Sequence, residues 1–183
     1  MFAQSVLLLA VIGCQSDPPA DKVPSPAIEV RRNGAVVAKV VPGRPCRATV
    51  EGSEVIVGAT PFGATVGEAK WTAATETNGT TFKKNDQPVA RIHANQLFDA
   101  QGIPLVRVTD TGDIANGAGR LVRKATVVAG YAPQVEIKSL VSADAVVVSH
   151  TEDVVLAALL SAPEADPTIR ALVACHLLQA AGS

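Results

Sequence analysis

Aromatic residues are scarce in this 183-residue chain: one tryptophan, one tyrosine and four phenylalanines make up 3% of it. Rings for stacking on bases or sugars are therefore few. The core has to be assembled from valine, alanine and other small aliphatic side chains, which suit a pleated sheet. An excess of charge of either sign is missing too, since 16 Lys and Arg against 17 Asp and Glu leave a formal charge of -1. Such a balance gathers neither nucleic acid nor an anionic membrane by long-range attraction, and no nucleic-acid partner is expected. Catalytic signatures are absent as well: the chain has no Gly-x-Ser-x-Gly elbow, no phosphate loop, no His-Glu-x-x-His and no Cys-x-x-Cys. The glycine-rich stretch Gly58-Ala59-Thr60-Pro61-Phe62-Gly63-Ala64-Thr65 lacks the lysine of a phosphate loop and reads as a loop or a bulged strand. No cofactor is called for.

What is present begins with an apolar run, Val6 to Gly13. It is too short to cross a bilayer, which takes about 20 residues as a helix, and has the length of the apolar region of an export signal. Val11-Ile12-Gly13-Cys14 resembles the lipobox of bacterial lipoproteins, with an aliphatic residue, a small residue and then cysteine. The resemblance implies thioether lipidation of Cys14, cleavage before it and acylation of the new terminus. Gln15 in place of Asp implies sorting to the outer membrane, with the protein facing the periplasm. Met1-Phe2-Ala3-Gln4 departs from the pattern, because it carries no Lys or Arg. From Gln15 to Pro26 four prolines crowd into a nearly non-apolar stretch, the composition of an extended tether. The chain therefore divides into a signal (1–13), a lipidated cysteine with its tether (14–26) and one globular domain (27–183). The competing reading makes Val6 to Gly13 a buried first element of an intracellular domain.

An internal repeat organises the rest. Phe82 to Ile92, Phe98 to Val108 and Ile114 to Lys124 overlay one another, with Phe82, Phe98, Ile114 and Arg91, Arg107, Arg123 each recurring every 16 residues. Val30 to Val40 is an earlier copy out of phase. Each unit has hairpin chemistry. Asp99 and Asn116 suit the first position of a turn, Gly102 and Gly119 suit the left-handed residue that closes it, and Asn33-Gly34 and Asn78-Gly79 read as two-residue primed turns. Phe98-Asp99-Ala100-Gln101-Gly102 resembles the short Tyr-Asp-x-x-Gly repeats of secreted bacterial shell and toxin-associated proteins, without the tyrosine, and carries no function across. Residues 27–149 are predicted to form an antiparallel β-meander whose exposed edges are open to a partner strand.

Residues 150–183 change period. Thr151-Glu152-Asp153 offers a helix start before Val154, Val155, Leu156, Leu159 and Leu160, and Asp166-Pro167 offers a second before Ile169, Leu172, Val173, His176 and Leu177. Two helices are expected, packed on one side of the sheet or capping its open end. The fold class is thus mainly β, a meander of hairpin repeats with two C-terminal α-helices.

Cys46 and Cys175 can bond in an oxidising compartment, or can be two buried small hydrophobes far apart in space. Cys175-His176 invites a metal or a nucleophile with its base, yet helix neighbours point about 100° apart. His93 and His150 have no second ligand at short spacing, so no metal site is expected. Arg91, Arg107 and Arg123 can stack as a row that grips carboxylates or phosphates, in lipopolysaccharide, peptidoglycan or an acidic partner. In the plainer reading each shares a pleat face with Val89, Leu105 or Leu121 and extends to water. The leading expectation is a lipid-anchored, non-enzymatic binding or structural module with an envelope-protein or cell-wall partner. Its rival is an envelope hydrolase or metal-dependent enzyme built from residues distant in sequence, and convergence of His93, His150 and His176 in one cleft would favour it.

Overall fold

The computed structural model describes residues 25–59 and 62–181. The lipobox-like segment, Cys14 and most of the expected tether lie outside them. Fourteen antiparallel strands follow one another in chain order: β1 (Ile28–Arg32), β2 (Ala35–Val41), β3 (Cys46–Val50), β4 (Ser53–Ala59), β5 (Phe62–Val66), β6 (Ala69–Glu76), β7 (Gly79–Lys84), β8 (Gln87–His93), β9 (Gln96–Asp99), β10 (Pro104–Val108), β11 (Asp113–Asn116), β12 (Leu121–Val128), β13 (Gln134–Ser139) and β14 (Ala145–Ser149). Two helices complete the chain, α1 (Val154–Leu160) and α2 (Pro167–Ala181). The predicted mainly β class with two C-terminal helices is what the structure shows.

The meander closes on itself. β1 pairs with β14, Val30 opposite Val148 and Arg32 opposite Val146, so the sheet is a barrel with no free edge. The expectation of an edge open to a partner strand is therefore overturned, because the backbone groups of the first strand are spent on the last.

Each proposed repeat unit is a hairpin: β7–β8, β9–β10, β11–β12 and, for the earlier copy, β1–β2. Asn33 and Gly34 both take positive φ, 51° and 81°, which is the primed two-residue turn their sequence predicts. Asp99 Oδ1 accepts from the amides of Gln101 and Ile103, and Asn116 Oδ1 from those of Ala118 and Arg120, while Gly102 and Gly119 close their loops at φ 79° and 77°. Asn78-Gly79 is not such a turn. Glu76 pairs with Gly79, leaving Thr77-Asn78 as the loop, and Gly79 sits at φ 115° where a Cβ would lie on the Ile92 carbonyl oxygen. Glycine is demanded there by the close approach of β8, and the asparagine beside it is incidental.

A barrel of this many strands has a wide interior, larger than wall side chains alone can fill. Here the helices fill it. α1 packs against β10, β12 and β13, and α2 against β2, β3 and β4 on the facing arc of the wall. Every residue from Ala171 to Cys175 is fully buried, whichever way its side chain points. A helix turn buried on all sides must be apolar on all sides, and from Ala171 to Cys175 α2 is, through its alanines. Of the two expected placements, the helices take the one on a single sheet face: they form a hairpin against the inner face of the barrel. Asp153 caps α1 through the Leu156 amide, and Asp166 caps α2 through the Thr168 amide at 2.8 Å.

All fourteen strands and both helices contribute to one hydrophobic core. Along β3, Cys46, Ala48 and Val50 are buried and Arg47 and Thr49 exposed. Outward positions carry ion pairs such as Glu136 with Lys138 and Glu29 with Arg31. This is the reverse of an outer-membrane barrel, which is apolar outside and spans lipid with strands of about 9–11 residues. The present strands have four to eight. The wall is built to face water.

Candidate functional site at the barrel mouth

Strand alternation gives the barrel two distinct ends. The proximal end receives the chain at Ala27, whose carbonyl meets His150 Nδ1 at 2.9 Å, and holds the connection from β14 into α1. The distal end holds the turns of the β1–β2, β11–β12 and β13–β14 hairpins and the loop joining α1 to α2.

A cleft of about 440 Å³ opens at the distal end between that loop and the wall of β12, β13, β14 and β1. Its apolar lining comes from Val122, Ile137, Val141, Val146 and Pro163. Ile137 and Val146 are inward residues of the wall, whereas Val141, in the β13–β14 turn, is 70% exposed. Arg32, Arg123, Ser139, Ser142, Asp144, Ser161 and Glu164 supply polar groups.

Most of those groups already have partners. Arg123 donates to both oxygens of Glu164, at 2.5 and 2.6 Å, tying β12 to the interhelical loop. Ser139 Oγ accepts from the amides of Val141 and Ser142, Ser142 donates to Asp144, and Ser161 donates to the Ala158 carbonyl. Arg32 differs. Glu29 and Arg31 pair on the outer face of β1, so Arg32, next in the alternation and opposite Val146, turns to the inside of the mouth. Among the described residues its side chain makes no hydrogen bond or ion pair.

The sequence-derived candidates are scattered. Arg91, Arg107 and Arg123 do not form a row: Arg91 lies on the outer face over the Phe98 ring at 4.8 Å, Arg107 is exposed on β10, and Arg123 turns inward to Glu164. Register is the cause. Arg91 stands opposite Thr81 within its unit, Arg107 opposite Gln96 and Arg123 opposite Ile114, because bulges interrupt all three hairpins at different points. Cys46 and Cys175 are joined in a disulfide, with Cα atoms 5.7 Å apart, linking β3 to α2 across 129 residues of sequence.

The histidines are not brought together. His93 is exposed at the end of β8, and His150 is held at the proximal end by Ala27. His176 lies inside the barrel between Phe62 and Phe82, with Nε2 3.1 Å from Thr80 Oγ1, which in turn is 3.0 Å from Thr75 Oγ1. Burial holds its imidazole below the ordinary histidine pKa. Among the described residues no three His, Cys, Asp or Glu side chains gather where a metal ion could sit.

Sequence reasoning passed over Arg32 and Glu164. For Arg32 a signal exists, since Arg31-Arg32 are consecutive in a strand and alternation must send one of them inward. For Glu164 there is none, because its position follows from the route of the helical hairpin. Compared with known protein families, curated proteins and solved structures, the chain matches none of them.

Proposed function

We propose that this chain is a lipid-anchored protein of the bacterial envelope, attached through Cys14, whose barrel serves as a rigid, non-enzymatic binding or structural module. Supporting the anchor are the lipobox-like Val11-Ile12-Gly13-Cys14 and the proline-rich stretch that follows it. The observation that carries the reading is the Cys46–Cys175 disulfide, buried on both sides and holding the internal helix to the wall. Bonds of this kind form and persist in oxidising compartments such as the bacterial periplasm.

A water-facing wall around a filled interior suits a module that meets partners at its surface, on the periplasmic face of the outer membrane. With the lumen occupied by α1 and α2, passage through the barrel is closed, and recognition falls to the mouth and the outer face. Expression of the native and Cys14→Ala chains in a bacterial host, followed by intact-mass analysis and membrane fractionation, tests the anchor. The native chain should lose 13 residues, gain acyl mass and sediment with membranes, while the variant should not. Two soluble, full-length products in a host that exports normally would remove the anchor.

A further inference from the structure

We propose that the distal mouth binds a small organic acid with an aliphatic tail, its carboxylate on Arg32 and its tail against Val122, Val141 and Val146. This deepens the binding-module reading and rests on that part of it, though not on the lipid anchor.

Three features point to this chemistry. The cleft's volume, about 440 Å³, lies in the lower part of the range of small-molecule sites. Five of its lining residues are apolar, which favours a tail over a wholly polar solute. Two of its charges pair with each other, Arg123 with Glu164; of the other two, Asp144 is exposed on its turn and accepts the Ser142 hydroxyl while keeping its charge, and the Arg32 side chain has no partner among the described residues. One free guanidinium, a planar fork with paired N–H donors, matches one carboxylate. A dianion such as phosphate asks for more positive charge than the mouth has to spare. A cation would have the exposed Asp144 as its available carboxylate and would share the cleft with Arg32, or would have to displace Arg123 from Glu164.

The test uses the full-length chain carrying Cys14→Ala, which keeps acyl chains out of the sample, titrated calorimetrically with octanoate, acetate and octylammonium. Octanoate should saturate one site per chain, acetate should bind at least about tenfold more weakly for want of a tail, and octylammonium should give no saturable signal. Arg32→Gln should weaken octanoate about tenfold, as loss of a charge-assisted hydrogen bond does. Val141→Ser, at an exposed turn position, should weaken it several-fold.

Absence of octanoate binding, undiminished binding by Arg32→Gln, or equal binding of octylammonium overturns the proposal. If circular dichroism shows that Arg32→Gln has lost the fold, Val141→Ser decides, and an unchanged octanoate affinity there overturns it. The fractionation result is read separately. A chain that is never lipidated yet binds octanoate through Arg32 keeps this site and loses only the anchor.

Discussion

Arg170 extends from a helix that is apolar on every other buried side and meets Glu51 Oε2 at 2.8 Å, in the turn between β3 and β4. The guanidinium is 3% exposed and the carboxylate 38%, so the two ends of this pair are unequal. The arginine is committed to the interior, and the glutamate leans in from the rim to meet it.

Removing the glutamate should therefore cost more than removing both. Glu51→Gln leaves a buried cation without its counter-charge and is expected to lose about 2 kcal/mol. Adding Arg170→Met to that variant, which replaces the charge with a flexible apolar chain, should recover most of the loss. Urea denaturation of the two single variants and the double variant measures the coupling, and additive losses would mean the pair is incidental.

The disulfide is the second point at which α2 is held. Replacing Cys46 and Cys175 together by alanine releases a loop of 129 residues and should lower stability by about 5 kcal/mol in the chain-entropy account. Hydrogen exchange should show the loss first in α2, whose amides would exchange well before those of the wall. A double variant as stable as the parent would show that helix packing alone holds α2 in place.

His176 sets a pH dependence whose sign follows from its environment. Burial lowers its folded pKa below the unfolded value of 6.5, so the unfolded chain takes up the proton first as the medium is acidified. Stability from this group is full above pH 6.5, declines as pH falls through that value, and levels off below the lower folded pKa. The groups around the ring, Thr80, Phe62 and Phe82, do not titrate in this window. Urea midpoints at pH 7.5 and 5.5 should differ less for His176→Gln than for the parent.

Gly79 offers a backbone test. Alanine there would put its Cβ on the Ile92 carbonyl and 2.8 Å from His93 Cβ, at φ 115°, so Gly79→Ala should cost more than about 2 kcal/mol by forcing β7 and β8 apart. Gly34→Ala is the control, because its turn has positive φ but open space, and about 1 kcal/mol is expected. Equal losses at the two sites, by thermal unfolding, would refute the close-approach argument.

The hairpins were legible in the sequence because their information is local: Asn33-Gly34, Asp99 with Gly102, and Asn116 with Gly119 each set a turn within four residues. Closure was not legible, since the pairing of Glu29 with Ser149 is decided by how far the whole strand series curls. The helices and their packing on one sheet face were legible, but the enclosure that buries them all round was not. Ile169, Leu172 and Val173 read as one apolar face, while Ala171 and Ala174 between them look neutral in sequence and are fully buried in the barrel. The arginine row failed for a related reason. A period of 16 residues keeps three arginines in phase along the sequence, but bulges between Phe82 and Lys83, Pro104 and Val106, and Ile114 and Ala115 give each unit its own register. Of the mouth, Arg123 was singled out in the sequence for a row it does not form, and Arg32 carried a mark only through alternation; its solitude depends on what the neighbouring strands and loop do with their own charges.

The seam between β1 and β14 sets the order in which this molecule can be completed. β1 waits for a partner 114 to 120 residues downstream, Arg32 for Val146 and Glu29 for Ser149, and the interior stays unfilled until residues 154–175 have followed. Such long-range closure is slow, and a partly synthesised chain can form hairpins without a finished barrel around them. For a protein proposed to be anchored in an oxidising envelope, the step that fills the barrel is also the one that brings Cys175 to Cys46.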